Sequence, residues 1–259
     1  MKHTAIIAAA ACATIMANAC TFVRINRNSD ILKSEYIEIN PDGVRFTKDF
    51  DVTAFDELSV NGSFNVTYVP GEPSVSITAD EKVMEHIRVK VADGELKIDF
   101  GHKKISKTGE IDVKVSCPVL NDLNLAGSCT FDAPQGIIAE DFDANLAGSC
   151  RMTAACLTAQ GDADLVIAGS GEALLKSIVC GDIDLQIAGS GNIAAEGVEC
   201  RKDIDLGVAG SGNITISGTN GGDTDITIAG SGKVDISGLV TKGATSREVS
   251  GSGKVLKVF

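Results

Sequence analysis

The pattern Ala-Gly-Ser-Gly, or a near copy, recurs down the second half of this 259-residue chain. Its first glycine falls at Gly127, Gly148, Gly169, Gly189, Gly210, Gly230 and Gly251, at intervals of 21, 21, 20, 21, 20 and 21 residues. Self-similarity at a fixed short period marks a stacked repeat protein. Between the glycines, apolar and polar residues alternate with period two, which excludes a helix pair and demands strands. The spacing therefore predicts an all-β chain, a right-handed parallel β-helix (β-solenoid) with 20–21-residue coils.

One segment shows how a coil is built. Ile183, Leu185 and Ile187 share one face of a strand, while Asp182, Asp184 and Gln186 share the other. Gly189-Ser190-Gly191 turns a corner where missing side chains permit a tight bend and close backbone approach. A second short strand places Ile193 inward, matched by Ile214, Val234 and Val255, and Gly197, Gly218 and Gly238 mark the next bend. Strand, corner, strand, bend and return describe a narrow, three-sided coil. Stacking turns each repeat position into a column with a step of ~4.8 Å. The corner serines Ser128, Ser149, Ser170, Ser190, Ser211, Ser231 and Ser252 read as a structural column whose hydroxyls bridge to the next rung.

The chain divides into four parts. Residues 1–19 read as a signal peptide: a short positive start, an apolar alanine-rich run, then Ala17-Asn18-Ala19 at a cleavage site. The run is too short to span a bilayer. The residue after the cut is Cys20, so lipidation there is an alternative to free secretion, although Ala17 stands where lipoprotein signals usually carry Leu. Residues 20–43 read as a polar tether, 44–120 as irregular N-terminal β coils capping the solenoid, and 121–259 as the regular repeats. In the irregular part, Val75–Ile77, Ile87–Val91, Leu96–Ile98 and Ile111–Val115 supply strands, and Asp80 caps one helical turn before His86. Val60-Asn61-Gly62-Ser63 is a degenerate corner, and the 65 residues from Gly62 to Gly127 leave room for about three irregular coils.

Aspartate forms the pattern that most invites chemistry. Asp122, Asp143, Asp164, Asp184, Asp205 and Asp225 stand five residues before successive corner glycines; Asp141, Asp162, Asp182, Asp203 and Asp223 stand seven before. Alternation puts both columns on the outer surface of one sheet. Two unit charges ~4.8 Å apart repel by about 0.9 kcal/mol even at water's dielectric. Ca²⁺, which accepts six to eight oxygens with flexible geometry, is the natural compensating ligand for such a ladder. Solubility and side-chain bonding to nearby backbone amides are the alternatives. The net charge of −12 disfavours nucleic acid, whose affinity rests on basic residues neutralising phosphate.

The segment from Phe55 to Val66, the Pro70-Gly71 turn, Asp93-Gly94-Glu95-Leu96-Lys97-Ile98 and the train of Gly-Ser-Gly-Asn-Ile units resemble the head GIN domain family, the "putative autotransporter adhesins" of Gram-negative gut anaerobes. The resemblance spans roughly residues 45–259. It implies an exported β-helical protein, often lipid-anchored, and supplies no catalytic motif. The chain departs from the family where Cys129 and Cys150 replace the second corner glycine.

Cys129 and Cys150 lie one coil apart in register, as do Cys180 and Cys200. In-register stacking brings their Cα atoms into disulfide range but leaves the Cβ atoms somewhat wide, so packed, unpaired thiols are expected. No Cys or His cluster has zinc spacing. Short coils leave no room for loops that would wall a cleft, and nothing in the sequence sets the aspartate pKa values apart for acid–base work. The expectation is a non-enzymatic, exported cell-envelope protein without a resident cofactor, at the outer membrane as a lipoprotein, in the periplasm or on the cell surface. It would be an adhesin or scaffold that binds a surface glycan or protein through flat repeat faces, touching the membrane only through a lipid at Cys20. The alternative is a divalent-cation- or polysaccharide-binding module using the Asp columns, with a polysaccharide hydrolase or lyase less favoured.

Overall fold

A computed structural model describes residues 35–101 and 103–257. The signal segment, Cys20 and the start of the tether lie outside the described residues. The molecule is 65% strand and 2% helix, a β-solenoid of about 6 turns with ~21-residue coils. Each regular coil has three sides, as in Phe142–Gly148, Arg151–Ala154 and Leu157–Ala159. The first sides stack into a 10-stranded sheet; the second and third sides belong to a 14-stranded sheet. From residue 192 onward those two sides run as single strands across the bend, Asn192–Cys200, Asn213–Asn220 and Lys233–Thr241, with a register shift between Ala195 and Val198.

Stacking is parallel and column-true. Leu165, Leu185, Leu206 and Ile226 are register partners on the first side, as are Ile167, Ile187, Val208 and Ile228. All eight are buried. Each such side chain removed from water contributes roughly 1.5–3 kcal/mol, and no coil could bury its own stripe without neighbours. The inward column Ile193, Ile214, Val234 and Val255 is in register too.

The corners explain the period. Gly189 has φ of 137°, and a Cβ there would overlap the Gly169 carbonyl oxygen of the preceding coil. The following glycine is required for a different reason. A Cβ at Gly191 would lie 2.7 Å from Ile167 Cγ2, and one at Gly212 2.6 Å from Ile187 Cγ2. Cys129 and Cys150 hold the matching place in the first two repeat corners, their buried thiols donating to Ala126 O at 3.6 Å and Ala147 O at 3.5 Å. Ser190 N–H donates to Gly169 O at 2.8 Å, and Ser211 N–H to Gly189 O at 2.9 Å. This main-chain bond, and not the hydroxyl, ties the serine column together. Among the described residues the seven hydroxyls make no intramolecular hydrogen bond, which corrects the bridging role read from the sequence.

The 65-residue interval before Gly127 holds no intervening coil. Gly62 and Gly127 are direct register partners, and Glu57–Gly62 stacks straight onto Asp122–Gly127. The chain leaves that first coil after Pro70 and travels to the far end. There it lays down antiparallel strands Ser74–Asp80 and Arg88–Ala92, then builds one further coil from Glu95–Asp99 and Asp112–Cys117 outside the first. Arg45–Phe50 pairs antiparallel with Ser74–Asp80 at the edge. The helical turn Glu81–Met84 is capped by Asp80, whose carboxylate accepts the Lys82 N–H at 3.1 Å. Arg88 grips the buried Asp99 with two bonds of 2.8 and 3.0 Å. Within the segment assigned to a tether, Glu35–Ile37 pairs with Lys103–Ile105 and Ile39 is buried, so this part is docked.

Candidate functional site

The first sheet carries the acidic columns on its outer face, and the structure gives them two different roles. Asp162 Oδ1 accepts the Asp182 N–H at 3.2 Å, Asp182 Oδ1 the Asp203 N–H at 3.0 Å, and Asp203 Oδ1 the Asp223 N–H at 2.7 Å. The series starts with Asp141 accepting from Asp162 N–H at 2.9 Å and closes with Asp223 accepting from Ala244 N–H at 2.7 Å. This column is a side-chain-to-backbone ladder that satisfies main-chain donors at the return bend, where strand pairing lapses. Lys202 Nζ lies 2.6 Å from Asp182 and 3.8 Å from Asp162. That ammonium, with the Asp203 amide, holds the Asp182 carboxyl below its ordinary value.

The other column is longer than the repeat suggests. Glu95 pairs with Glu57, Glu57 with Asp122, and the line continues through Asp143, Asp164, Asp184, Asp205 and Asp225. It therefore runs to eight carboxylates and stops at Ser246, whose hydroxyl bonds Asp225. The sequence reading missed Glu57 and Glu95 because they lie outside the periodic region. The signal was nonetheless present: Glu57-Leu58-Ser59-Val60-Asn61-Gly62 matches Asp122-Leu123-Asn124-Leu125-Ala126-Gly127 in residue type at every position except Asn61 against Ala126.

Among the described residues, none of these eight carboxylates makes an ion pair. Burial first, and neighbouring carboxylates second, push Asp164 up to about 7. Burial raises Asp184 to about 6, opposed by a bond from Gln186 Nε2 at 2.8 Å. Glu57, Asp122, Asp143 and Asp205 are raised for the same first cause. Burial in the middle of the row thus favours the protonated form of these carboxyls. Asp184 Oδ1 and Gln186 Oε1 are buried without a hydrogen-bond partner.

The structure sets neighbouring pKa values apart, Asp182 down and Asp184 up, which corrects the uniform column expected from the sequence. The Asp182 carboxylate is nevertheless engaged by an amide and a lysine. Among the described residues, no three Asp, Glu, His or Cys side chains are arranged to hold a metal ion. The described cysteines are free thiols, all buried except the half-buried Cys156.

These features define a class: a parallel β-solenoid whose in-register columns present flat, repetitive outer faces, closed at one end by an antiparallel head. The chain belongs to the family described as "Putative auto-transporter adhesin, head GIN domain", whose profile matches residues 54–202 and 163–256. Its fold is similar to that of a putative adhesin from Bacteroides fragilis NCTC 9343, with 20% identity, 86% of this chain and 100% of that chain covered, and a TM-score of 0.75. A putative lipid binding protein from Parabacteroides distasonis ATCC 8503 is 24% identical over 87% of this chain and 100% of its own, with a TM-score of 0.64. A putative adhesin from Parabacteroides merdae ATCC 43184 is 22% identical with the same coverage and a TM-score of 0.62. These likenesses speak for the fold. No curated protein matches the chain.

Proposed function

We propose that the protein is an exported, non-catalytic cell-envelope solenoid that adheres to a surface glycan or protein through its first sheet. The observation that carries this reading is the eight-member carboxylate row running in register along a flat ten-stranded sheet. Carboxylates at a constant step offer many weak contacts to a repetitive ligand, and their sum, not any single contact, gives affinity. Export is supported by the signal pattern of residues 1–19 and by the family's description. Anchoring through a lipid at Cys20 belongs to the same proposal, and labelling with a palmitate analogue tests it.

Glycan-array binding of the mature chain, with and without calcium, tests the adhesive role. Binding that is lost in Asp143→Asn/Asp164→Asn/Asp184→Asn supports it; binding indifferent to that triple variant moves the ligand off this sheet. The unpartnered Asp184 Oδ1 favours a second reading, in which divalent cations sit weakly between rungs of the same row. Calorimetry with calcium decides it: the absence of heat at millimolar calcium removes the cation.

A further inference from the structure

On the third side, two register partners are both cysteine. Cys180 and Cys200 pair across adjacent coils, and both are buried. In-register parallel strands set equivalent side chains a step of ~4.8 Å apart. That step is wide for a disulfide, whose Cβ atoms prefer about 3.5–4.5 Å. It suits a metal bridge, because two metal–sulfur bonds of ~2.3 Å each span ~4.6 Å. The two sulfurs already meet. The Cys180 thiol donates to the Cys200 sulfur, a bond that pushes Cys180 up, with burial adding to it, and holds Cys200 down.

The surroundings fit two thiolates and one cation. The Cys200 thiol donates to Gly181 O at 3.0 Å and to Asp203 O at 3.3 Å. Each carbonyl also accepts a main-chain N–H at 3.0 Å, from Lys202 and from Ile183. Loss of the thiol proton therefore orphans no buried acceptor. Arg201 donates to the Gln160 carbonyl two rungs back, so its side chain crosses the rung of Cys180. Its charge offsets the net negative charge of two thiolates around a monovalent ion. Thiolates select soft ions such as copper(I), whereas structural zinc takes four ligands. Among the described residues no third Cys, His, Asp or Glu joins the pair. Cys200 is 5% exposed and borders a surface concavity of about 370 Å³, which gives an ion entry; the stacked Cys129 and Cys150 are sealed at 0% and 1%. We propose that Cys180 and Cys200 form a two-coordinate site for copper(I) that clamps adjacent coils together. On binding, two S–H bonds break and two S–Cu bonds form; both protons leave to water, and no atom changes oxidation state. The site lies inside the coil, away from the carboxylate row, and stands apart from the adhesive reading.

Titration of the whole reduced chain with copper(I) in the absence of oxygen, against a competing colorimetric chelator, tests the assignment. The parent should retain copper(I) in linear two-sulfur coordination, read from its X-ray absorption edge, and its melting temperature should rise with the metal. Cys180→Ala and Cys200→Ala should each lose one bound equivalent and the rise in melting, while Cys129→Ala keeps both. Circular dichroism of the metal-free variants shows which of them are folded. Arg201→Gln, at an exposed position, should weaken retention about tenfold, as loss of a group that supports metal ligands does. A parent that retains no copper(I), or folded Cys180 and Cys200 variants that retain as much as the parent, would overturn the proposal. So would peptide mapping that finds Cys180 and Cys200 joined by a disulfide in the aerobically purified chain.

Discussion

Asp164 shows how much one residue's surroundings matter. Its carboxyl is held up to about 7, from an ordinary 3.8. A folded pKa above the unfolded one means that the native state binds the proton more tightly, so stability is lost as pH rises through this interval. Asp182 works the other way: held below 3.8, its contribution is present above that value and is lost as pH falls through the lowered one. Thermal melting should therefore rise between pH 8 and about pH 5, then fall below about pH 4. Asp164→Asn should raise the melting temperature at pH 8 and flatten the alkaline side; an unchanged slope would show that the row is fully ionised. Among the described cysteines, only Cys156 is partly exposed. Iodoacetamide followed by peptide mass mapping of the folded chain should modify Cys156 and spare Cys117, Cys129, Cys150, Cys180 and Cys200.

Single elements of the coil make separable contributions. Gly189→Ala forces a side chain into left-handed backbone against a carbonyl oxygen and should cost about 3 kcal/mol in urea unfolding. Asp203→Ala removes the acceptor of one bend amide and should cost about 1 kcal/mol, because the site is exposed and water replaces part of the bond. The corner, the inward columns and both acidic columns were legible in the sequence because the same side chain returns every 20 or 21 residues. What the second column does was not legible, since an aspartate facing water and one reaching the next rung's amide have the same spacing. The head was least legible. Its strands Arg45–Phe50, Ser74–Asp80 and Arg88–Ala92 are antiparallel and leave no period, and the pairing of Gly62 with Gly127 crosses an interval that looks like room for more coils.

Considered whole, the solenoid has unlike ends. One is covered by antiparallel strands, and the last described coil at the other places Arg247 in register with Ile226 at an inward position. A charge pointing inward on an edge strand opposes further pairing. Val249 and Leu256 are 41% and 40% exposed beside it, so Arg247→Leu should promote end-to-end association, read as a larger species in sedimentation velocity.

The skip from Gly62 to Gly127 also sets the order in which the rod is assembled. Rungs in the repeat zip onto a neighbour some 20 residues away, whereas the junction between head and repeats must span 65. The longer span adds about 1 kcal/mol of closure entropy. During synthesis, Glu57–Gly62 emerges well before Asp122–Gly127, its permanent neighbour. Until then a sticky border lies bare, and that interval is when a chaperone would matter most.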